Sequence, residues 1–242
     1  MSHGRPDWYN IAPLIQIHAS EDINELAARL GAPNTVDRRG NVIAYDCFER
    51  GIQNWGFDFN DAGNNASWSA HQGMYGALAM RLYTVAGATK YAKATRWLPF
   101  PPAGSLGVEW GFSHETIPTG ILLAVSVFTG TTLVYYSLKY TYASGVLAYW
   151  NGATWVTLYT DTKVFLSSEL ITNYVKLAVD IDSAEFLRLI TGDRSDSMVG
   201  IAAAVSASSS VRGVYLEFLS YGYAAGAMSA YLEWLTLTVN ER

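Results

Sequence analysis

The chain has 242 residues, half of them hydrophobic and 14% aromatic but only 15% charged, with a net charge of −5 and a pI near 5.3. That length suits one large β-sandwich, or a sandwich of roughly 200 residues with an appendage. The acidic balance, with Arg38-Arg39 as the only adjacent basic pair, argues against non-specific nucleic-acid binding, which needs a basic face.

Soluble domains average about 25% charged residues. So many aromatics beside so little charge imply either apolar contact surface or the dense packing of a two-layer β-protein. The single cysteine, Cys47, reads as a buried small hydrophobe and excludes an intramolecular disulfide. No apolar run reaches the ~18 residues of a membrane span. The opening Met1-Ser2-His3-Gly4-Arg5-Pro6-Asp7-Trp8 lacks the basic and apolar regions of a secretory signal, so a chain made in the cytoplasm without a sorting signal of its own is expected.

In chain order, Trp8, Tyr9 and Ile11 belong to an apolar arm interrupted by Pro13. Ser20 caps a short helix whose Ile23, Leu26, Ala27 and Leu30 share one face, and Gly31 with Pro33 ends it. A helix of about ten residues is marginal alone in water, so it must dock on its own sandwich or on another subunit. Residues 1–41 therefore read as a docking and assembly arm, and residues 42–242 as the sandwich.

Strands are predicted at Asn41–Tyr45, Ala77–Val85, Tyr91–Pro99 and Ser105–Ser113. A meander follows at Ile121–Phe128, Thr132–Tyr142, Val146–Trp150 and Thr154–Thr160. Its turns are Thr129-Gly130-Thr131, Ala143-Ser144-Gly145 and Asn151-Gly152, the last read as type I′. Connections this short join only antiparallel neighbours. Tyr174–Ile181 and Glu185–Thr191 form a further hairpin, Ala202–Ser210 a loop or weak strand, and Val214–Tyr221 and Ser229–Val239 complete the set.

Asp46-Cys47-Phe48-Glu49-Arg50-Gly51, followed by Trp55, and the closing stretch Ser229–Val239 resemble jelly-roll carbohydrate-binding modules of the concanavalin-like kind. The resemblance implies an all-β antiparallel jelly-roll sandwich behind the N-terminal arm and helix. It also implies a structural calcium held by carboxylates near the first and last strands. Asp46 and Glu49 match the opening motif, while Glu233 stands where such modules commonly carry Asp. The order helix, Arg29-Leu30-Gly31, Thr35-Val36-Asp37-Arg38-Arg39-Gly40 and then Asp-x-Phe-Glu-x-Gly is similar to uncharacterised phage-associated proteins with a lectin-like sandwich. That second resemblance implies a non-enzymatic virion structural protein, a capsid decoration or surface subunit. It would be homo-oligomeric, located in the virion, docked on capsid or other virion proteins through the arm, and able to touch cell-surface glycans. The alternatives are a carbohydrate-binding module or lectin, and a glycoside hydrolase.

Glycan contacts need exposed aromatics. Trp150 and Trp155 bracket a hairpin tip, as stacking platforms or as a cross-strand pair, and Trp68, Tyr149, Trp55 and Trp110 are further candidates. Asp180-Ile181-Asp182-Ser183-Ala184-Glu185 is similar to the acidic strand of concanavalin-like glucanases, but Asp-Ser-Ala falls where a hairpin must turn, which sets its side chains apart. Glu109, Glu217 and Glu233 either converge on one sheet face or alternate toward solvent. His3, His18, His71 and His114 have no metal-ligand spacing, and no nucleotide-binding or nucleophile motif is present, so catalysis is not expected.

Overall fold

Alternation of β-branched and aromatic residues with small or polar ones produces sixteen strands among the described residues, which in this computed structural model are 39–70, 78–99, 103–161, 164–166, 171–192 and 194–241. They are β1 (Asn41–Asp46), β2 (Gly56–Phe59), β3 (Asn65–Ser69), β4 (Ala79–Thr84), β5 (Tyr91–Leu98), β6 (Ser105–His114), β7 (Gly120–Phe128) and β8 (Thr132–Thr141). The remainder are β9 (Val146–Trp150), β10 (Trp155–Thr160), β11 (Asn173–Asp180), β12 (Glu185–Thr191), β13 (Arg194–Ala202), β14 (Ala204–Ala207), β15 (Gly213–Tyr221) and β16 (Met228–Val239). The predicted arm and helix, with Trp8, Tyr9, Ile11, Ile23, Leu26 and Leu30, lie outside the described residues.

The strands form two antiparallel sheets, as predicted for a jelly-roll sandwich. The first runs β13-β12-β11-β6-β16-β4-β3, the second β10-β9-β8-β7-β15-β5-β2. Each contains one long strand flanked on one side by two short ones. β4 pairs with the first half of β16 and β1 with its second half, while β9 and β14 divide the edge of β8 in the same way. The predicted meander is β7 to β10, each strand bonded to the next.

Gly130, Gly145 and Gly152 take positive φ in its turns, as the turn chemistry requires. The Asn151-Gly152 tip is nonetheless not a two-residue I′ turn. Asn151 keeps ordinary φ, and its Oδ1 accepts from the amides of Ala153 (2.9 Å) and Thr154 (2.8 Å), an Asx cap on a four-residue loop. Asp180 does the same for Asp182 and Ser183 at 2.8 and 3.0 Å, so the acidic run at 180–185 is turn chemistry.

Between the sheets, Leu106, Val108, Trp110 and Phe112 of β6 meet Ile121, Leu123, Val125 and Val127 of β7, Tyr136, Leu138 and Tyr140 of β8 and Phe218 of β15. His114 continues the inward row of β6. It is fully buried, edge-on to Tyr142 with ring centres 4.9 Å apart, and burial pushes its pKa down to about 4. Cys47 is half-buried rather than buried.

On the other face of the first sheet, β6 presents Gly107, Glu109 and Gly111. A side chain at Gly111 would overlap the Trp234 ring, and one at Gly107 would overlap the Glu241 carboxylate and the Thr238 hydroxyl. The two glycines thus let Trp234 and Glu241 lie flat on the strand on either side of Glu109. Glu109 sits opposite Lys176 of β11, whose ammonium also reaches the Arg39 carbonyl at 3.0 Å, and Arg188 of β12 reaches Glu241 at 2.9 Å. Two cations and two carboxylates therefore share this buried network.

Candidate functional site

The outward face of the second sheet is built differently. Register places Asp58, Lys93, Leu219, Leu122, Lys139, Ala148 and Thr157 side by side from β2 to β10. Neighbouring rows on the same face are Thr95–Glu217–Ala124–Ser137, Tyr91–Tyr221–Gly120–Thr141 and Trp97–Tyr215–Ser126–Tyr135. Leu122, Ala124 and Leu219 make a small buried floor, and the half-buried rings of Tyr91, Tyr135, Trp155 and Tyr221 pack against it. Trp150 and Trp155 face each other across the hairpin at 5.3 Å and 57°. Trp97 stacks obliquely on Phe128 (5.4 Å) and Tyr215 (6.5 Å) at the far corner.

Four charged side chains punctuate these rings. Asp58 accepts from Lys93 at 3.0 Å and from the Tyr91 hydroxyl at 3.2 Å, and the lysine holds its carboxyl below the usual range. Glu217 is half-buried in the middle of the face, where burial raises its pKa against the pull of Lys93. Lys139 lies over two rings, 5.7 Å from the centre of Trp155 and 5.4 Å from that of Tyr221. Burial also raises the phenol pKa of Tyr135 and Tyr221, which keeps both hydroxyls neutral. Flat rings around an apolar floor, interrupted by a few fixed hydrogen-bonding groups, can hold a ligand whose faces are apolar and whose edges carry hydroxyls.

The structure distributes the sequence candidates widely. Trp150 and Trp155 lie on this face. Trp68 does not: it sits on edge strand β3 of the other sheet, 51% exposed, its indole donating to the Phe48 carbonyl at 2.7 Å. Tyr149 points the opposite way, into the core, edge-on to Phe186 at 5.6 Å, because it alternates with Trp150 along β9. Trp110 and Trp55 are core residues, Trp55 against Phe48 at 5.7 Å. Glu109 and Glu233 belong to the first sheet and Glu217 to the second, so the three do not converge.

Asp46 is engaged by the Arg96 guanidinium, the Trp55 indole (3.0 Å) and the Phe48 amide (2.9 Å). Glu49 is exposed in the turn that follows, and Glu233, at a bulge in β16, accepts from Thr172 at 2.7 Å. These three do not assemble; among the described residues no group of three or more such side chains could hold a metal ion. His114 is in the core, and His3, His18 and His71 lie outside the described residues.

Sequence reasoning missed Tyr91, Trp97, Tyr135, Lys139, Tyr215 and Tyr221 as members of one face. The available signal was the outward set of β15, Tyr215, Glu217, Leu219 and Tyr221, at alternate positions of an otherwise apolar strand.

No protein-family model matches the sequence, and no curated protein matches it. Among solved structures, the chain is similar to peanut lectin (9% identity, 82% of this chain and 97% of that one, TM-score 0.47). It is also similar to a Bacillus licheniformis β-glucanase (13%, 82% and 98%, 0.45). A third likeness is to a xylan-binding domain from Paenibacillus barcinonensis (10%, 85% and 99%, 0.41). At these scores none of the three assigns a ligand to any residue here.

Proposed function

We propose that this is a non-catalytic carbohydrate-binding domain that lays a glycan across the outward face of its second sheet. The observation that carries the reading is the ring of Tyr91, Tyr135, Trp155 and Tyr221 around the floor of Leu122, Ala124 and Leu219, with Glu217 and Lys139 set among the rings. Sugar rings offer apolar C–H faces to stack on aromatics and hydroxyl edges to pair with carboxylate, ammonium and phenol, which is the combination present. A glycosidase would need a second carboxyl beside Glu217 to act as nucleophile or base. Asp58, the other carboxylate of the face, is occupied by Lys93 and Tyr91, which favours binding without cleavage.

The particle role implied by motif order rests on an arm outside the described residues, and no feature of the two sheets bears on it. The test is a panel of soluble and insoluble polysaccharides titrated against the full chain, read by tryptophan fluorescence and calorimetry. Saturable binding that Trp155→Ala weakens supports the proposal, and a folded protein that binds none of them overturns it.

A further inference from the structure

Building on the glycan-binding reading, we infer that this face selects glycans bearing isolated carboxylates, such as scattered uronic acids, and that Lys139 reads the acid. The face carries two lysines. Lys93 is committed to Asp58 at 3.0 Å, whereas Lys139 forms no ion pair among the described residues and stands bracketed by the Trp155 and Tyr221 rings. It lies in the central row, opposite Leu122 on one side and Ala148 on the other. An ammonium held over ring faces has given up part of its hydration and rotamer freedom, so an incoming anion gains a charge-assisted hydrogen bond at reduced ordering cost. A sugar stacked on Trp155 places its ring substituents beside that ammonium.

Asp58 and Glu217 make the four charges of the face sum to zero, so a densely charged polyanion meets two carboxylates as well as two lysines. A mainly neutral chain with occasional acids meets the cation alone. Glu217, which accepts no hydrogen bond from any described side chain, is left to accept from hydroxyls of the neutral residues.

The experiment compares glucuronoxylan, xanthan and hyaluronan, each native and carboxyl-reduced, together with polygalacturonate as a dense polyanion, against the full-length chain and its K139Q and K139R variants. At least one native polymer is expected to bind about tenfold or more tightly than its reduced form, the range of a hydrogen bond to a charged group. Polygalacturonate should bind more weakly than that polymer. K139Q should abolish the preference while keeping the thermal midpoint, and K139R should retain most of it. If reduced forms bind as tightly as native ones, or K139Q keeps the preference, the acid selectivity falls while glycan binding stands. If no polymer binds in either form, both fall.

Discussion

The Lys176 ammonium lies 2.7 Å from the Glu241 carboxylate, and both side chains are fully buried on the face of the first sheet turned away from the core. Glu109, 3.2 Å from the same ammonium, is equally buried. Removing one partner from such a group strands an uncompensated charge, which typically costs about 3–5 kcal/mol. Lys176→Met is therefore expected to lower the thermal midpoint sharply, as is Glu241→Gln to a smaller degree because it keeps an acceptor. The double variant should lose less than the sum, and additive losses in calorimetry would show that the pair is not coupled.

Gly111→Ala tests the packing that makes room for that network. The added methyl would overlap the Trp234 ring, and overpacking of this kind costs about 1–3 kcal/mol. Combining it with Trp234→Ala should recover part of the loss, measured by denaturant unfolding.

His114 gives the domain an acid-sensitive element. Its ring is neutral in the folded state down to about pH 4, whereas in the unfolded chain it takes up a proton below its ordinary 6.5. The unfolded state therefore binds more protons throughout that interval, and stability falls as pH drops from about 6.5 to about 4, by roughly 3 kcal/mol, then levels off as far as this group is concerned. His114→Leu should flatten that part of the stability profile. A wild-type slope that survives the substitution would place the sensitivity elsewhere.

Trp155→Ala and Trp150→Ala are each expected to weaken glycan binding by about thirtyfold, the ~2 kcal/mol at which a buried aromatic contact becomes a hot spot. Trp68→Ala should leave affinity unchanged because its indole lies on the other sheet. Tyr149→Ala should lower stability rather than affinity, since its ring packs against Phe186. Measuring melting and binding on the same four variants separates these roles.

Asp46→Ala leaves the partly buried Arg96 guanidinium without its carboxylate and the Trp55 indole without its acceptor. A loss of about 1–3 kcal/mol is expected. Because Arg96 occupies that carboxylate, chelator treatment should leave the melting temperature unmoved, and a midpoint that rises with added calcium would contradict this assignment.

The strands that alternate cleanly were legible in the sequence. Val146–Trp150 and Glu185–Thr191 have the predicted bounds, and the meander pairs in the predicted order. β2, β3 and β13 were not legible, because all three are edge strands in which no apolar face is buried continuously, so no period-two pattern was imposed on them. Half of the candidate site could be read, since Trp150 and Trp155 bracket a turn that local chemistry specifies. The other half comes from β5, β8 and β15, more than a hundred residues apart at the extremes, and only sheet order brings Tyr91, Tyr135 and Tyr221 together. Tyr149 was misplaced for a simpler reason: neighbours along a strand face opposite ways, so one hairpin flank cannot offer both Tyr149 and Trp150 to a ligand.

The position of β16 has a consequence for biosynthesis. It lies between β6 and β4 in the first sheet and also supplies the partner for β1, yet its residues are the last of the sixteen strands to leave the ribosome. Until then β1, β4 and β6 have only an open slot between them, and β6, rich in buried apolar side chains, presents a bare edge on that side. The second sheet is closed by β15, which sits between β7 and β5 and precedes β16 in the chain. The nascent domain therefore passes through a stage with one sheet complete and the other in three pieces, β13 to β6, β4 with β3, and β1, and that stage is when it is most exposed to pairing with another chain.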